Sequence, residues 1–396
     1  MIAYITDLEG RWDKLERSCA DNPHLSLQGD ALVLAPGVTF VFGGDAMDRG
    51  PADRRIIAAL LAAKRRHGER VVLLAGNRDI NKLRLHRELA GHVPRGAPPE
   101  LHGDRPALLR WILARTMGAS EAFGHRAAEL RAAGAPADDE AVVDSFAADI
   151  APGGPLAEYL GHASLAFRAG RTLFLHGGVT SASLGVVPGR EPVTDVDRWI
   201  ADLNAFYDQQ VAAFTTQRFE HGVPGWASIV DYQAPIPGTG RHQASVVYGR
   251  LADAHNDPRL PEPGVIAALQ RAGIDRLVVG HTPVGDVPAV LRRDGFTQVM
   301  ADNSHARLEW GVRLGLDDDA VTWSGRCRLD DGTELSASAV IDDGPSPVGA
   351  VTRERGHLVK AEHAGQFLLF RALPDRQVEQ LSMTDPGALA PPASIE

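Results

Sequence analysis

The sequence is poor in cysteine, in aromatic residues and in positive charge. Its 396 residues hold two cysteines, Cys19 and Cys327, which excludes a disulfide framework. Aromatic residues make up 6%, and Trp111, Trp199, Trp226 and Trp310 read as packing residues rather than as platforms for stacked bases. The net charge of −10 argues against a nucleic-acid footprint. No apolar run approaches the roughly 20 residues that a membrane span needs. The opening "MIAYITD" enters a strand-like segment with neither the basic nor the apolar region of a signal peptide, so a cytoplasmic location is expected. There is no internal repeat.

What remains is an ordinary globular composition, 44% hydrophobic and 23% charged, long enough for one large domain with additions. Short apolar runs end in polar residues of one kind. "AYIT" leads to Asp7, "VTFVFGG" to Asp45, "RVVLLAG" to Asn77, "RTLFL" to His176, "DRLVVG" to His281, and "FTQVMA" to Asp302 and Asn303. Such runs read as strands buried on both faces. Helix-like segments separate them at 11–19, 52–67, 79–89 and 263–272, which predicts an α/β layered fold. Ligands in such folds lie beyond the carboxyl ends of the strands. Residues 84–160 read as a helical insert that could cap the site, and 180–262 become loop-like after a helix around 196–214. Residues 309–385 change texture into short strands with DDG and AG turns, a small β-rich C-terminal unit. Residues 386–396, with "APPAS", read as a loose tail.

Asp7, Asp45, Asn77, His176 and His281 form an oxygen-plus-imidazole set, suited to divalent ions of the Mn, Fe, Zn and Mg group. Asp45 lies on the glycine-flanked loop "VFGGDAMDRGP", where one carboxylate can bridge two ions. Two ions roughly 4 Å apart lower the pKa of a bridging water and clamp an in-line displacement at phosphorus. Arg49, on the same loop, offers a planar guanidinium to two phosphate oxygens. Asp48 would orient or protonate a neighbour.

The segments "DLEGRWDKLER", "GDAMDRGPAD", "GNRD", "LHGGV" and "GHTP" resemble, in order and style, the motifs of the calcineurin-like metallophosphoesterases. They most resemble the phosphoprotein-phosphatase branch and its bacterial relatives, over roughly residues 1–308. The resemblance implies a four-layer α-β-β-α sandwich and two divalent ions, Mn²⁺ first, with Mg²⁺, Fe or Zn²⁺ as alternatives. It implies that Asp7 and Glu9 bind the first metal, that Asp45 bridges, and that Asn77, His176 and His281 bind the second. Arg49 binds phosphate, and "SVVYGRL" resembles the segment that would supply Arg250 as a further phosphate ligand.

Two positions depart from the pattern. Glu9 stands where the family has histidine; a third carboxylate favours Mn²⁺ or Mg²⁺ and makes the bound water less acidic. Read without the family, it is a carboxylate that supports the site from outside the metal's reach, or a solvated one. Arg78 stands where the family has the histidine that helps protonate the leaving group. Arginine cannot give up that proton, so Arg78 is expected to clamp phosphate or to pair with Asp48 or Asp79. Protonation then falls to His305, His242, Asp48 or water. The expected activity is hydrolysis of a small-metabolite phosphomonoester, a nucleoside or sugar phosphate, by a metal-bridging hydroxide. Asp48, Arg49 and Arg78 would be catalytic, and Arg49, Arg78, Arg250 and His305 would contact substrate. No nucleic-acid or membrane partner is expected. The other readings are a protein Ser/Thr phosphatase, a dinucleoside polyphosphate or cyclic-nucleotide hydrolase, and a phosphate-ligand binding protein without catalysis.

Overall fold

Each apolar run forms a strand. The computed structural model describes residues 1–216, 225–233, 244–307 and 311–395. Ile2–Ile5, Thr39–Phe42 and Val71–Leu74 pair in parallel within a seven-stranded sheet. Thr172–Leu175, Arg276–Val279 and Phe296–Met300 pair in parallel within a five-stranded sheet. The two sheets face each other. Tyr4, Val41 and Leu74 of the first pack with Phe174, Val278 and Val299 of the second in one apolar layer, where Tyr4 stacks on Phe174 at 5.8 Å. The alternate residues Ala3, Ile5, Phe40 and Phe42 point outward to a helix-covered core that includes Ile56 and Leu60. Burial on both faces is why these strands are continuously apolar.

The Asp53–His67 helix carries an acid in its first turn and Lys64, Arg65, Arg66 and His67 in its last, charges that complement the helix dipole. The helix expected at 79–89 instead begins at Asn77 and is broken by a 3₁₀ turn at Lys82–Arg84. Further helices at Arg105–Thr116, Ala122–Ala132, Asp139–Asp149 and Pro155–His162 follow. No helix among the described residues is long and apolar enough to cross a membrane.

Three features differ from expectation. Leu25–Gln28 and Ala31–Leu34 form a hairpin whose alternating "LSLQGDALVL" pattern is the signal for it. The C-terminal residues do not make a separate β unit from 309. Arg313–Leu316 pairs with Ile2–Ile5, and Val321–Arg328 and Glu334–Ile341 follow, so these strands extend the seven-stranded sheet. The open edge of Ile2–Ile5 needs hydrogen-bond partners, and these strands supply them. Only the strands from Val351 onward build their own five-stranded sheet. Its edge takes in the expected loose tail, for Leu389–Ala390 pairs with Val351–Thr352 and Ile395 N donates to Leu260 O at 2.8 Å. The tail is held by backbone pairing, which its Pro- and Ala-rich composition does not reveal.

Candidate metal centre

The parallel strands of both sheets end on one edge, and the chain turns sharply there. Among the described residues ten non-glycine residues have positive φ, and five of these are Asp7, Glu9, Asp45, Asp48 and His281. Left-handed backbone at such residues is costly and concentrates where a structure over-determines it. Close approach requires glycine nearby: a Cβ at Gly76 would lie 2.1 Å from Asp45 Oδ1, and one at Gly280 2.3 Å from Asp7 Oδ2.

Asp45, His176 and His281 are buried, and each offers a ligand atom within 4.8 Å of the others'. His176 Nε2 is 3.3 Å from Asp45 Oδ1 and 3.2 Å from Asn77 Oδ1. Its Nδ1 meets the Gly43 carbonyl at 2.8 Å, which fixes the ring with Nε2 facing the site. Burial disfavours the imidazolium at His176, but the Asp45 carboxylate outweighs it and raises the ring to about 10. His281 behaves oppositely: burial and then Arg250 hold it well below its ordinary value. Its Nε2 is buried without a hydrogen-bond partner. A neutral imidazole with an orphaned nitrogen beside a buried carboxylate fits a divalent cation, which displaces the proton that His176 and Asp45 otherwise share.

Asp7 and Glu9 lie next to this cluster. Thr6 Oγ1 donates to Asp7 Oδ2 at 2.6 Å, and His281 N donates to the same carboxylate at 3.2 Å. Burial and the Asp302 carboxylate push Asp7 well above the usual carboxylate range. Buried acids that repel one another in this way are a cation-binding arrangement. Glu9 is engaged differently. Arg78 Nε is 2.6 Å from its Oε1 and Arg49 Nε 3.2 Å from its Oε2. Burial raises Glu9 to about 7 against the pull of the two guanidiniums. Glu9 is thus a buried anchor for both arginines rather than a solvated carboxylate.

Arg78 pairs with Asp48 at 3.2 Å and approaches Asp45 at 3.5 Å, while Asp79 points elsewhere. Asp79 accepts from the backbone amides of Asp45, Ala46 and Gly76, each at 2.9 Å. Asp48 is also held by Lys82 Nζ at 2.8 Å. Arg49 Nη1 contacts the His305 ring. Arginine cannot accept a hydrogen bond, so His305 as placed accepts from it. Arg250 lies near Tyr248, whose ring is 4.8 Å from that of His281. His242 lies outside the described residues.

Sequence reasoning passed over three residues. Lys82 follows Arg78 by one helical turn, Lys14 Nζ donates to Asp7 O at 2.7 Å, and Tyr248 precedes Arg250 by two positions. Asp79, in the quoted "GNRD", enters the sequence reading only as a partner for Arg78, which is not where its side chain points. Asp302 had been noted only as a rim residue; it is buried beside Asp7.

The calcineurin-like phosphoesterase family profile matches residues 1–285. The chain belongs to that family. Its phosphoesterases generally work with divalent metals, and the cluster just described supplies the donor set. No curated protein matches this phosphoesterase. Among solved structures, it is similar to a point mutant of a cold-active protein tyrosine phosphatase, at 14% identity and a TM-score of 0.46, covering 85% of this chain and 79% of that one. It is also similar to a protein serine/threonine phosphatase from Saccharomyces cerevisiae with similarity to human phosphatase PP5, at 12% identity and a TM-score of 0.37, covering 87% and 81%.

Proposed function

We propose that this phosphoesterase hydrolyses a phosphomonoester of a small metabolite, a nucleoside or sugar phosphate, using two divalent ions with Mn²⁺ preferred. The observation that carries the substrate class is a cavity of about 820 Å³ over the cluster, lined by Asp45, Arg49, Arg78, His281 and by Arg115–Gly118 at the end of the Arg105–Thr116 helix. A cavity of that size walled by a helix suits a small polar ligand better than an extended peptide.

Asp7, Glu9 and Asp45 would hold the first ion, and Asp45, Asn77, His176 and His281 the second. Bound there, the ions supply Lewis acidity that makes water more acidic and offsets phosphoryl charge. The chain's own residues do the rest. Arg49 and Arg78, oriented by Glu9, would present fixed charge to the phosphoryl oxygens, and Arg250 lines the same cavity. Arg78 and Lys82 occupy the Asp48 oxygens, and His305 is turned to Arg49. Neither Asp48 nor His305 is therefore set to hand the leaving group a proton, which favours substrates whose leaving group needs little help.

The test is phosphate release from a panel of nucleoside, sugar and peptide phosphates, on metal-stripped protein with Mn²⁺, Mg²⁺ and Zn²⁺ restored in turn. Turnover of small phosphomonoesters, lost on chelation, is expected. In Asp45→Asn it should fall by about 100-fold or more, an effect of the size seen on removing a charge-stabilising donor, together with the bound metal. Turnover confined to phosphopeptides would replace the proposal with a protein phosphatase, and turnover confined to diesters with a nucleotide hydrolase. Metal binding without turnover would leave a binding protein.

A further inference from the structure

The walls of the cavity carry charge of one sign. Its acidic lining residues, Asp7, Glu9, Asp45 and Asp302, all belong to the metal-binding floor. Above them, every charged residue among the described lining is an arginine: Arg84, Arg115, Arg250 and Arg307, beyond Arg49 and Arg78 at the floor. The protein as a whole has a net charge of −10, so this concentration runs against the composition. One phosphoryl group does not need so many guanidiniums. The floor pair is already anchored by Glu9 at 2.6 and 3.2 Å, and it meets the scissile group.

Arg84 and Arg115 both line this cavity from the segments that follow Asn77. Arg84 gives its Nε to Glu88 at 2.8 Å. Arg115 is exposed, in the last turn of the Arg105–Thr116 helix. It makes no hydrogen bond or ion pair to another described residue. Arg78 Nη1 reaches the Met117 carbonyl just beyond that helix, at 3.4 Å. The floor arginine is thus tied to the end of the helix that bears Arg115. An unpaired guanidinium and a half-engaged one lining the same cavity offer donors to an anion, and the planar fork suits phosphate.

We propose that Arg84 and Arg115 form a second anion subsite, which selects substrates carrying another phosphoryl group beyond the scissile one. The proposal rests on the phosphatase reading of the same cavity. It adds that the preferred metabolite is doubly phosphorylated. The second group sits on the same carbon skeleton or in an anhydride chain, since both present the same oxygens to the guanidiniums.

Matched pairs of probes test this: fructose 1,6-bisphosphate against fructose 6-phosphate, and adenosine 5′-diphosphate against adenosine 5′-monophosphate. The wild-type protein is expected to prefer the doubly phosphorylated member of one pair by about tenfold or more in kcat/KM, and which pair shows it tells skeleton from anhydride. In Arg115→Gln and in the double variant with Arg84→Gln, that ratio should fall toward one, mainly through KM. Arg115 is exposed, so the first variant folds as the parent does. Turnover of both members without preference, or a preference that survives in the variants, overturns the subsite and leaves the phosphatase standing. If no probe is turned over, the phosphatase reading fails, and calorimetric titration with inorganic pyrophosphate against orthophosphate still decides the subsite. Tighter pyrophosphate binding that is lost in the variants upholds it; equal binding refutes it.

Discussion

Asp79 acts on the centre without offering it a ligand. Its two oxygens accept from the amides of Asp45, Ala46 and Gly76, so it ties the "GNRD" turn to the "GGDAMDRG" loop and holds the left-handed backbone of Asp45 in place. Burial and the neighbouring Asp45 raise it to about 7, the electrostatic cost of putting two carboxylates close together. Asp79→Asn keeps the shape but turns one acceptor into a donor facing backbone amides. Metal affinity should fall about 10- to 100-fold, the usual size for a residue that orients a ligand, as read by calorimetric metal titration. An unchanged affinity would show that the loop holds itself. Glu9 is the second residue to test. Its oxygens are on Arg78 and Arg49, yet it stands where the family places a metal-binding histidine. Glu9→His is expected to move the metal that best restores turnover from Mn²⁺ toward Zn²⁺. If the preference stays put while KM rises, Glu9 serves the arginines alone. Among single residues, the ligand types were plain in the sequence because each follows an apolar run. Asp79 and Lys82 were not, because their partners lie across the fold and a sequence shows only the helical spacing.

At the scale of elements, the helices after Asn77 are locked to the loop that bears Asp45 and Arg49 through one buried arginine. Arg126, in the Ala122–Ala132 helix, is fully buried. Its Nη1 is 2.5 Å from Asp149 Oδ2 and its Nη2 3.6 Å from Asp53 Oδ2. Asp53 opens the Asp53–His67 helix and accepts from the amide of Asp48 at 3.0 Å. The chain of contacts thus runs from the insert through Asp53 to the loop that bears Asp48 and Arg49. Removing one partner of a buried ion network leaves uncompensated charge. Arg126→Met should therefore lower stability by about 3–5 kcal/mol, read by urea denaturation, and should lower turnover even where the variant stays folded. A loss under 1 kcal/mol would mean that Asp53 and Asp149 are neutral in the fold. The helices of the insert were legible in the sequence, and the α/β alternation predicted a layered fold, while the two-sheet sandwich followed only from the family resemblance. The link to Asp48 was not, since "FGHRAAEL" reads as an ordinary helix with a surface arginine.

For the whole molecule, the C-terminal sheet braces the strand edge that carries His281. Lys360, in the Leu358–His363 strand, is buried; its Nζ donates to the Val287 carbonyl at 2.7 Å and to that of Val284, and lies 3.9 Å from the Phe370 ring. These carbonyls belong to the loop that leaves His281. The change of texture after residue 308 announced strands, but it could not say that some would complete the first sheet and others would support the His281 loop, because register and packing partner are long-range. Burial lowers Lys360 from 10.5 to about 7. Between those two values the unfolded chain holds a proton that the folded chain has released, so stability rises with pH across this window and levels off above it. The slope is bounded by about 1.4 kcal/mol per pH unit for one group. Lys360→Met removes the titration at nearly constant shape. Other groups contribute equally to both proteins, so the difference in unfolding free energy, wild type minus variant, should climb from pH 7 toward pH 10 and stay flat below pH 6. Paired urea titrations at single pH steps measure it. A difference that is constant across the range would mean that Lys360 keeps its proton in the fold, and that the Val284 and Val287 carbonyls with the Phe370 ring are enough to hold a buried ammonium.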